Sequence, residues 1–480
     1  MKKRILIVSQ SFIVGGIETR LQGHCKKFIE AGIDVFLITG RYYKKEFLPK
    51  GLKKIFNLDL FHPFARNIDL ENEINTIASI ISNNQIDLVL VHPDLSIPSA
   101  TLAAKKCNVR CGIVLHGALN LDQFYGWTHR LLMQISLNIA DFIEFVSEEV
   151  LELTKSFIYH NRYFIERNKI CYSTFTENLS NKDPYSIAIV SRLAIDKYDS
   201  ITNLLKIMSG SKFKIAIFGE GPCKSKLKKF IKRENLDNVQ LKGVSTSIPH
   251  AVKDFFFIAG VDRVVLEGLS QNKPTILAGY DGVKGLIDIP LFNKASFSNY
   301  GGKGGIDNIE KNKFLTQLES CIKQPEPYQL RKELMPKIAL NNNFQHYLDS
   351  LFNIEDFVVN DNISFVNDII AKISICSRKT NYSRWINDEK LFFSIRNVLD
   401  DPCYQKEKIP FYLSSFLHYP IQKNNQQKTQ RFKRLKNISV FFFYQAYLKL
   451  PFKLQNIARS LLKNKLHAMR NVSGYRLQNQ

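Results

Sequence analysis

The sequence predicts an α/β protein with two tandem Rossmann-like domains and a basic, mainly helical C-terminal extension. Three observations lead to this fold class. Short apolar runs alternate with longer periodic segments, the series stops near residue 178 and restarts near residue 187, and the charge balance changes after the second series. The chain has 480 residues, 45% of them hydrophobic and 23% charged, which is enough for two or three domains.

The first series predicts five parallel strands in a domain of residues 1–178. Each run is apolar almost throughout, as is typical of a strand buried on both faces, and the intervening segments are long enough for crossover helices. The runs are Ile5–Val8, Val35–Thr39, Asp87–His92, Cys111–Leu115 and Phe142–Val146.

The second series repeats this pattern and predicts a domain of residues 179–353. We expect a helix-like segment, Asn343–Phe352, to close it. Five further strands are predicted at Ile187–Val190, Lys214–Phe218, Val239–Lys242, Phe255–Ile258 and Thr275–Ala278. The restart indicates a doubly wound parallel sheet in each domain.

Residues 354–480 form a third region with a different charge balance. The whole chain carries 67 Lys and Arg against 44 Asp and Glu, a net charge of +23, and no acidic residue follows Glu407. Leu461, Leu462 and Leu466 recur at helical spacing among bases, which favours an amphipathic helix on an anionic membrane surface through residues 421–480. A helical appendage packed on the other domains is the alternative. We expect no nucleic-acid partner, because no nucleic-acid-binding motif accompanies these bases.

Several classes of protein are excluded by composition. No uncharged apolar stretch is long enough for a transmembrane helix, and the apolar run after the basic N-terminus, Ile5–Val8, is too short for a signal peptide. The eight cysteines are scattered and indicate neither a zinc site nor a disulfide framework. A cytoplasmic location is therefore expected.

Candidate ligand-binding residues of the first domain follow two predicted strands. Gly15 and Gly16 lie between the first strand and the next helix, where glycine lets a ligand approach the backbone and the helix N-terminus favours an anion. His116 follows the strand ending at Leu115, and ligands of open α/β sheets bind at such carboxyl ends. A plain turn and a structural histidine would use the same residues.

In the second domain, two cations and one acid also lie close to the ends of predicted strands. Arg192 lies just beyond a strand and Lys197 five residues later. The planar guanidinium of an arginine and the compact ammonium of a lysine can bind two phosphate groups there. Glu267 can accept hydrogen bonds from the vicinal hydroxyls of a ribose. Glycines at 279, 282 and 285 predict a turn whose N–H groups face phosphate oxygens. Each residue could instead be an ordinary surface or helix-face residue.

Together the motifs resemble the GT-B glycosyltransferases of the family-4 type, which transfer sugars with retention from nucleotide-sugar donors. The resemblance covers approximately residues 3 to 352. It rests on GGIETRL, VLHGAL, FVSEEV, VSRLAIDK, FGEGP, VQLKGV and VVLEGLSQNKPTIL.

The resemblance implies a role for each matched residue. His116 would lie against the transferred sugar, Arg192 and Lys197 would hold the donor diphosphate, and Glu267 would bind the donor ribose. Gly15 and Gly16 would line the phosphate and acceptor side of the cleft. The remaining donor-binding positions are Glu220, Gly221, Gly243 and Val244 around the base, and Gly282 and Gly285.

One departure from the family pattern concerns the donor sugar. The family commonly has two glutamates separated by seven residues, the first near the sugar, and here Ala259 stands at that first position, with Asp262 nearby but out of register. We expect neither a cofactor nor a metal, since no convincing pair of acidic residues occupies a loop.

The predicted function is transfer of a sugar to a glycan or lipid-linked acceptor in the biosynthesis of a surface polysaccharide, lipopolysaccharide or capsule. The enzyme would be peripheral on the inner face of the cell membrane. A nucleotide-sugar epimerase and a non-catalytic GT-B assembly partner remain as alternatives, the second supported by Ala259.

Overall fold

The computed structural model describes most of the first 352 residues and a small part of the remaining chain. The described residues are 2–13, 15–40, 43–58, 67–92, 95–117, 127–170, 182–245, 248–303, 305–340, 344–352, 363–377, 394–395 and 398. Met1–Ile409 form one compact unit. The basic segment 421–480, for which membrane binding is predicted, lies outside the described residues.

The first domain contains a seven-stranded parallel sheet in the order β3-β2-β1-β4-β5-β6-β7. All five predicted strands are confirmed, and their buried runs account for the burial of both faces of the sheet. The strands are β1 (Arg4–Ser9), β2 (Asp34–Thr39), β3 (Lys54–Asn57), β4 (Leu88–Val91), β5 (Arg110–Leu115), β6 (Phe142–Phe145) and β7 (Tyr163–Ile165).

Crossover helices connect the strands of the first sheet, as right-handed parallel connections require. They are α1 (Gly16–Glu30), α2 (Asn67–Asn83), α3 (Ser96–Lys106), α4 (Trp127–Ile139) and α5 (Glu148–Thr154), with short 3-10 helices at Lys45–Phe47 and Lys155–Phe157. The Ser147 hydroxyl accepts a hydrogen bond from the Val150 N–H and caps α5.

The second domain contains a six-stranded sheet in the order β10-β9-β8-β11-β12-β13. Its five predicted strands are confirmed, and β13 adds an antiparallel edge to the otherwise parallel sheet. The strands are β8 (Asp183–Val190), β9 (Lys214–Phe218), β10 (Val239–Gly243), β11 (Phe255–Gly260), β12 (Thr275–Gly279) and β13 (Gly282–Leu286).

Seven helices and one short 3-10 helix surround the second sheet within the described residues. They are α6 (Ile195–Met208), α7 (Lys224–Arg233), α8 (Ile248–Val252), α9 (Arg263–Ser270), α10 (Ile289–Ser296), α11 (Lys311–Lys323) and α12 (Arg331–Ile338), with the 3-10 helix at Glu326–Tyr328. The two sheets confirm the predicted pair of tandem Rossmann-like domains.

Two later helices return to the first domain. Helix α13 (Phe344–Phe352), expected to close the second domain, packs Phe344, Tyr347 and Leu351 into the same core as Ile5 and Phe28. Helix α14 (Ile363–Ser377) packs against α2 and α3. The chain thus crosses back to its first domain after α12. The predicted boundaries at 178 and 353 both fall on residues outside the described part.

None of the helices in the described ranges combines the length and the apolar character that crossing a membrane would require.

Candidate functional site

The carboxyl ends of β8, β9 and β10 are held together by backbone hydrogen bonds. The Leu193 N–H donates to the Glu220 carbonyl at 3.0 Å, and the Gly219 N–H donates to the Gly243 carbonyl at 2.7 Å. Three loops that are distant in sequence therefore form one continuous surface, here called the second-sheet ledge. It comprises residues 191–193, 219–221 and 243–244.

Glycine is required where these loops approach one another. A Cβ on Gly221 would lie 2.4 Å from the Leu193 carbonyl oxygen, so any side chain there would force the loops apart. Gly243 has a φ of +82°, which favours glycine, and its nearest neighbour would be Oε1 of Glu220 at 3.7 Å. Both predicted donor-binding glycines thus belong to the ledge.

The outer part of the ledge presents one acid and one apolar side chain to solvent. Glu220 is 44% exposed and forms a salt bridge with Lys224. Val244 is 52% exposed, unusual for a large apolar side chain beside a sheet edge. An exposed apolar contact next to a polar group suits a nucleobase, and this role of the two residues stays a prediction.

The two predicted phosphate-binding cations lie at the same sheet edge but in different surroundings. Arg192 is 59% exposed and lies 3.7 Å from the Asp196 carboxylate. Lys197 is buried, donates to the Asp262 carboxylate and to the Tyr280 hydroxyl, and lies 4.0 Å from the centre of the Tyr280 ring. Two of the three N–H donors of its ammonium group are engaged in this way.

Glu267, the predicted ribose-binding acid, is buried within α9. Its Oε1 lies 3.8 Å from Nε of Arg263, which is also buried. Arg263 in turn donates a hydrogen bond to the Lys169 carbonyl at 2.8 Å. The carboxylate of Glu267 is therefore placed beside a cation that bridges the second domain to the first.

Gly282 and Gly285 do not occupy the phosphate-facing turn that the sequence predicted. Both lie in the buried strand β13, because the turn is limited to the two residues between Gly279 and Gly282. A Cβ on Gly282 would meet Oδ1 of Asn308 at 2.3 Å, and one on Gly285 would meet Oε1 of Gln317 at 2.8 Å. Side chains of the same domain cover the Cβ side of both glycines, and their donor contact stays a prediction.

The start of α1 forms the first-domain side of the candidate site. Gly15 is extended at the N-cap, and a Cβ there would lie 2.4 Å from Oε2 of Glu18. Glu18 accepts a hydrogen bond from the Ser11 hydroxyl at 3.1 Å. Burial raises the pKa of the Glu18 carboxyl, while the positive charge of Arg192 acts to lower it. The second-domain arginine is thus close enough to Glu18 for the charges to interact.

Gly16 is exposed at the first position of α1. A Cβ there would lie 3.7 Å from Cδ of Arg263, an ordinary van der Waals distance, so Gly16 lies next to that arginine. Both predicted glycines lie where the first domain meets the second.

His116 forms a hydrogen-bonded pair with His92, which directly follows the neighbouring strand β4. Nδ1 of His92 lies 3.0 Å from Nε2 of His116. Burial lowers the pKa of His92 to about 3, aided by the charge of Arg20, and burial likewise places the pKa of His116 well below its ordinary value. Both imidazoles are neutral at pH 7, so one ring donates to the other.

A buried ion pair lies beneath these histidines. Arg20 of α1 donates to the Glu144 carboxylate of β6, and the Tyr347 hydroxyl of α13 donates to Oε2 of Glu144 at 2.9 Å. The Arg20 and Glu144 side chains are 1% and 0% exposed. The pair fixes the buried face of α1 below its glycine start.

Sequence reasoning missed four residues that help build this site, Glu18, His92, Arg263 and Tyr280, and it noted Asp262 without giving it a role. Glu18 stands inside the quoted GGIETRL motif, and His92 ends a correctly predicted strand, so strand adjacency could have paired it with His116. Asp262 and Arg263 had a weaker signal, their place between a strand and a helix. No group of three His, Cys, Asp or Glu residues in the described ranges is arranged to hold a metal ion.

Comparisons with known proteins agree with this architecture. Residues 14–164 match the model of Glycosyltransferase Family 4. The structure is similar to Anabaena HepE solved with UDP and glucose, at 13% identity and a TM-score of 0.54, covering 72% of this chain and 98% of that one.

Two other solved structures give a similar picture. TarM of S. aureus, solved with Fondaparinux, alpha-GlcNAc-glycerol and UDP, has 12% identity and a TM-score of 0.54, with 73% and 100% of the two chains covered. The lipopolysaccharide outer core galactosyltransferase WaaB has 14% identity and a TM-score of 0.52, with 73% and 99% covered. No curated protein sequence matches. The GT-B fold and the resemblance to family-4-type glycosyltransferases are confirmed.

Proposed function

We propose that this GT-B protein is a glycosyltransferase that moves a sugar from a nucleotide-sugar donor, with retention, to a glycan or lipid-linked acceptor in surface polysaccharide biosynthesis. The observation that carries the proposal is the second-sheet ledge, where backbone hydrogen bonds bring together the loops at the ends of β8, β9 and β10 and the Arg192 side chain is 59% exposed. Ligands of open α/β sheets bind at such carboxyl edges. HepE and TarM were both solved with UDP bound, which supports a nucleotide donor here.

Arg192 is the residue best placed to meet a donor diphosphate. Its exposed guanidinium can give two parallel N–H bonds to phosphate oxygens and neutralise the charge that grows on the leaving nucleoside diphosphate. Losing one such donor raises the barrier by about 2.7–4 kcal/mol, a fall of about 100- to 1,000-fold in turnover. Lys197 is the lesser of the two cations, because it is buried and already donates to Asp262 and Tyr280.

His116 is proposed to contact the transferred sugar as a neutral imidazole. Since Nε2 is engaged with His92, the other ring nitrogen is left for a sugar hydroxyl. The tautomer is set by the direction of the hydrogen bond between the two rings, so His92 positions His116 rather than touching the ligand. Glu267 is proposed to receive the ribose hydroxyls in the same donor pocket.

The proposal is tested by ligand binding and turnover of Arg192→Ala. Purified wild-type protein is screened by thermal shift with UDP, GDP and their hexose derivatives, because a ligand of the native state raises apparent stability by mass action. The matched control is Arg233→Ala, since Arg233 is an exposed arginine on α7 whose partner is its neighbour Glu234.

Wild type and the control should give the same shift and turnover, and Arg192→Ala should lose both while keeping its unliganded Tm. Unchanged turnover in Arg192→Ala would refute the assigned role. Binding of a donor without turnover over a broad acceptor panel would favour the non-catalytic assembly partner. Release of nucleoside diphosphate only with acceptor present separates a transferase from an epimerase.

Membrane association through residues 421–480 is proposed from the charge of this segment and the helical spacing of its leucines. The thirteen Lys and Arg residues of this segment are unopposed by any acid, and each base near an anionic surface contributes about 1 kcal/mol. Deleting 421–480 should release the protein from vesicles containing phosphatidylserine, whereas neutral vesicles should bind neither form. Undiminished binding to the anionic vesicles would overturn this part of the proposal. A cytoplasmic location on the inner face of the membrane would follow from it.

A further inference from the structure

A compact group of three polar side chains lies beside Arg192 at the edge of the second sheet. Asp262 follows β11, Lys197 lies in the first turn of the helix after β8, and Tyr280 follows β12. The three strands are adjacent in the order β8-β11-β12, so their carboxyl ends converge. We call Asp262, Lys197 and Tyr280 the polar triangle.

Hydrogen bonds close the polar triangle on itself. Lys197 donates to Oδ2 of Asp262 and to the Tyr280 hydroxyl, and the Tyr280 hydroxyl donates to the same Oδ2 at 2.9 Å. Oδ2 of Asp262 therefore receives two donors. Oδ1 has no hydrogen-bond partner among the described residues, and the side chain is 32% exposed. A carboxylate oxygen with free lone pairs is thus held in a fixed orientation at a ligand-binding edge.

The backbone at Asp262 is held in an unusual conformation. Its φ of +57° is rare for a residue with a side chain, and its N–H donates to the Tyr300 carbonyl at 2.9 Å. Asp262 precedes α9 but its side chain makes no capping hydrogen bond to that helix. The carboxylate is thus directed to Lys197 and Tyr280 instead of capping its own helix. Residues in such rare backbone conformations are concentrated at functional sites.

Position 259 cannot supply a carboxylate to this edge. Ala259 is fully buried in β11 and packs in the core of the second domain with Ile189 and Ile276. A glutamate there would place its charge among aliphatic side chains. Asp262, three residues later, is the acid that emerges at the end of this strand.

We propose that Asp262 recognises the sugar of the nucleotide-sugar donor, with Oδ1 accepting hydrogen bonds from sugar hydroxyls while Lys197 and Tyr280 fix its orientation. The inference rests on the proposed function and adds a residue that selects for a hydroxyl-bearing sugar. Lys197, proposed to hold the diphosphate, donates directly to the Asp262 carboxylate, so under this proposal the sugar attached to that diphosphate is placed near Asp262. The negative charge of Asp262 also balances the positive charge of Lys197 when no nucleotide sugar is bound.

The test separates sugar recognition from phosphate binding. Dissociation constants for UDP and UDP-glucose, and for GDP and GDP-mannose, are measured by calorimetry. For each pair, the Kd of the nucleoside diphosphate divided by the Kd of the nucleotide sugar reports what the sugar contributes to binding. Asp262→Asn should lower that ratio about tenfold or more, as expected for loss of a charged hydrogen-bond acceptor. Binding of the bare diphosphate should be unchanged or tighter, because Lys197 is released from its internal carboxylate.

Asparagine suits this substitution because it tolerates positive φ nearly as well as aspartate. Tyr280→Phe is the second variant, and it should lower the same ratio by a smaller factor, because it keeps the ring and removes one donor to Asp262. Asp281→Asn is the matched control, since Asp281 is 58% exposed in the same turn and pairs with Lys284. It should leave both constants within about twofold.

Each outcome decides between the explanations. If Asp262→Asn changes the affinity for diphosphate and nucleotide sugar by the same factor, Asp262 only holds Lys197 and the inference is overturned. A wild-type ratio of one for every pair would also overturn it. If wild type binds no nucleotide at all, the proposed function itself fails. This result is distinct from one in which nucleotides bind but the ratio of dissociation constants does not change in Asp262→Asn.

Discussion

Replacing His92 by glutamine should remove one part of the protein's sensitivity to mild acid, to which the buried His24 and His116, whose pKa values burial also lowers, contribute as well. His92 is 2% exposed and its pKa is lowered to about 3, whereas an unfolded histidine has a pKa of about 6.5. Between these values the unfolded chain binds a proton that the folded chain does not. The stability contributed by the neutral ring is therefore complete above pH 6.5 and is lost as the pH falls toward 3.

The magnitude at pH 5 follows from this difference in proton binding. The unfolded histidine is stabilised by protonation by about 2 kcal/mol at pH 5 and by about 0.2 kcal/mol at pH 7. Wild type should accordingly lose about 2 kcal/mol more than His92→Gln between pH 7 and pH 5. Glutamine can either donate to or accept from the His116 ring, and it cannot titrate.

The assay is urea unfolding followed by circular dichroism at both pH values, with unfolding free energies obtained by linear extrapolation. His250→Gln is the control, because His250 is exposed and its replacement should leave the wild-type pH dependence intact. An equal loss of stability in wild type and His92→Gln would refute the reasoning, since it would mean that His92 accepts a proton in the folded state.

Two further predictions concern the packing beneath the site. Glu144→Gln leaves the buried guanidinium of Arg20 without a counter-charge and should lower the free energy of unfolding in urea by about 3–5 kcal/mol. The double variant Arg20→Met/Glu144→Leu should recover most of that loss. A double variant as unstable as the single one would contradict this prediction. Gly219→Ala would place a Cβ 1.8 Å from the Ser191 carbonyl oxygen at a φ of +154°, and we expect a cost of about 1–3 kcal/mol together with weaker nucleotide binding in the thermal-shift screen. Gly210→Ala, at a φ of +75° with nothing within 4 Å, should show only the backbone penalty and normal nucleotide binding, and an equal loss of binding in both variants would argue against the ledge.

The two domains could be predicted from the sequence because most strands are buried on both faces. Such strands are apolar along most of their length, so nine of the ten predicted strands stand out as short buried runs, and only β10 is partly exposed along its whole length. The three strands that escaped prediction do not form long apolar runs. Strand β3 is mostly exposed at a sheet edge, β7 has three residues, and β13 contains two glycines.

The candidate site was predictable as a set of strand ends but not as a set of contacts. Arg192, His116 and the glycines of the second-sheet ledge follow buried strands, and parallel strands end at one edge. The partners of Lys197 had no local signal, since Asp262 and Tyr280 are 65 and 83 residues away in sequence. Two cations that looked equivalent in sequence therefore differ, one exposed and one paired.

Residue type and spacing by themselves determined the two Rossmann-like domains, the order of their strands along the chain and the residues that follow each strand, because hydrophobic burial leaves a periodic trace in sequence. Tertiary structure alone decided the return of α13 to the first domain, the placement of Gly282 and Gly285 within a covered strand, and the closure of the polar triangle around Lys197. These outcomes depend on which side chains meet across distant segments. Hydrogen bonds and ion pairs have no periodicity along the chain, so only the packed structure brings their partners together.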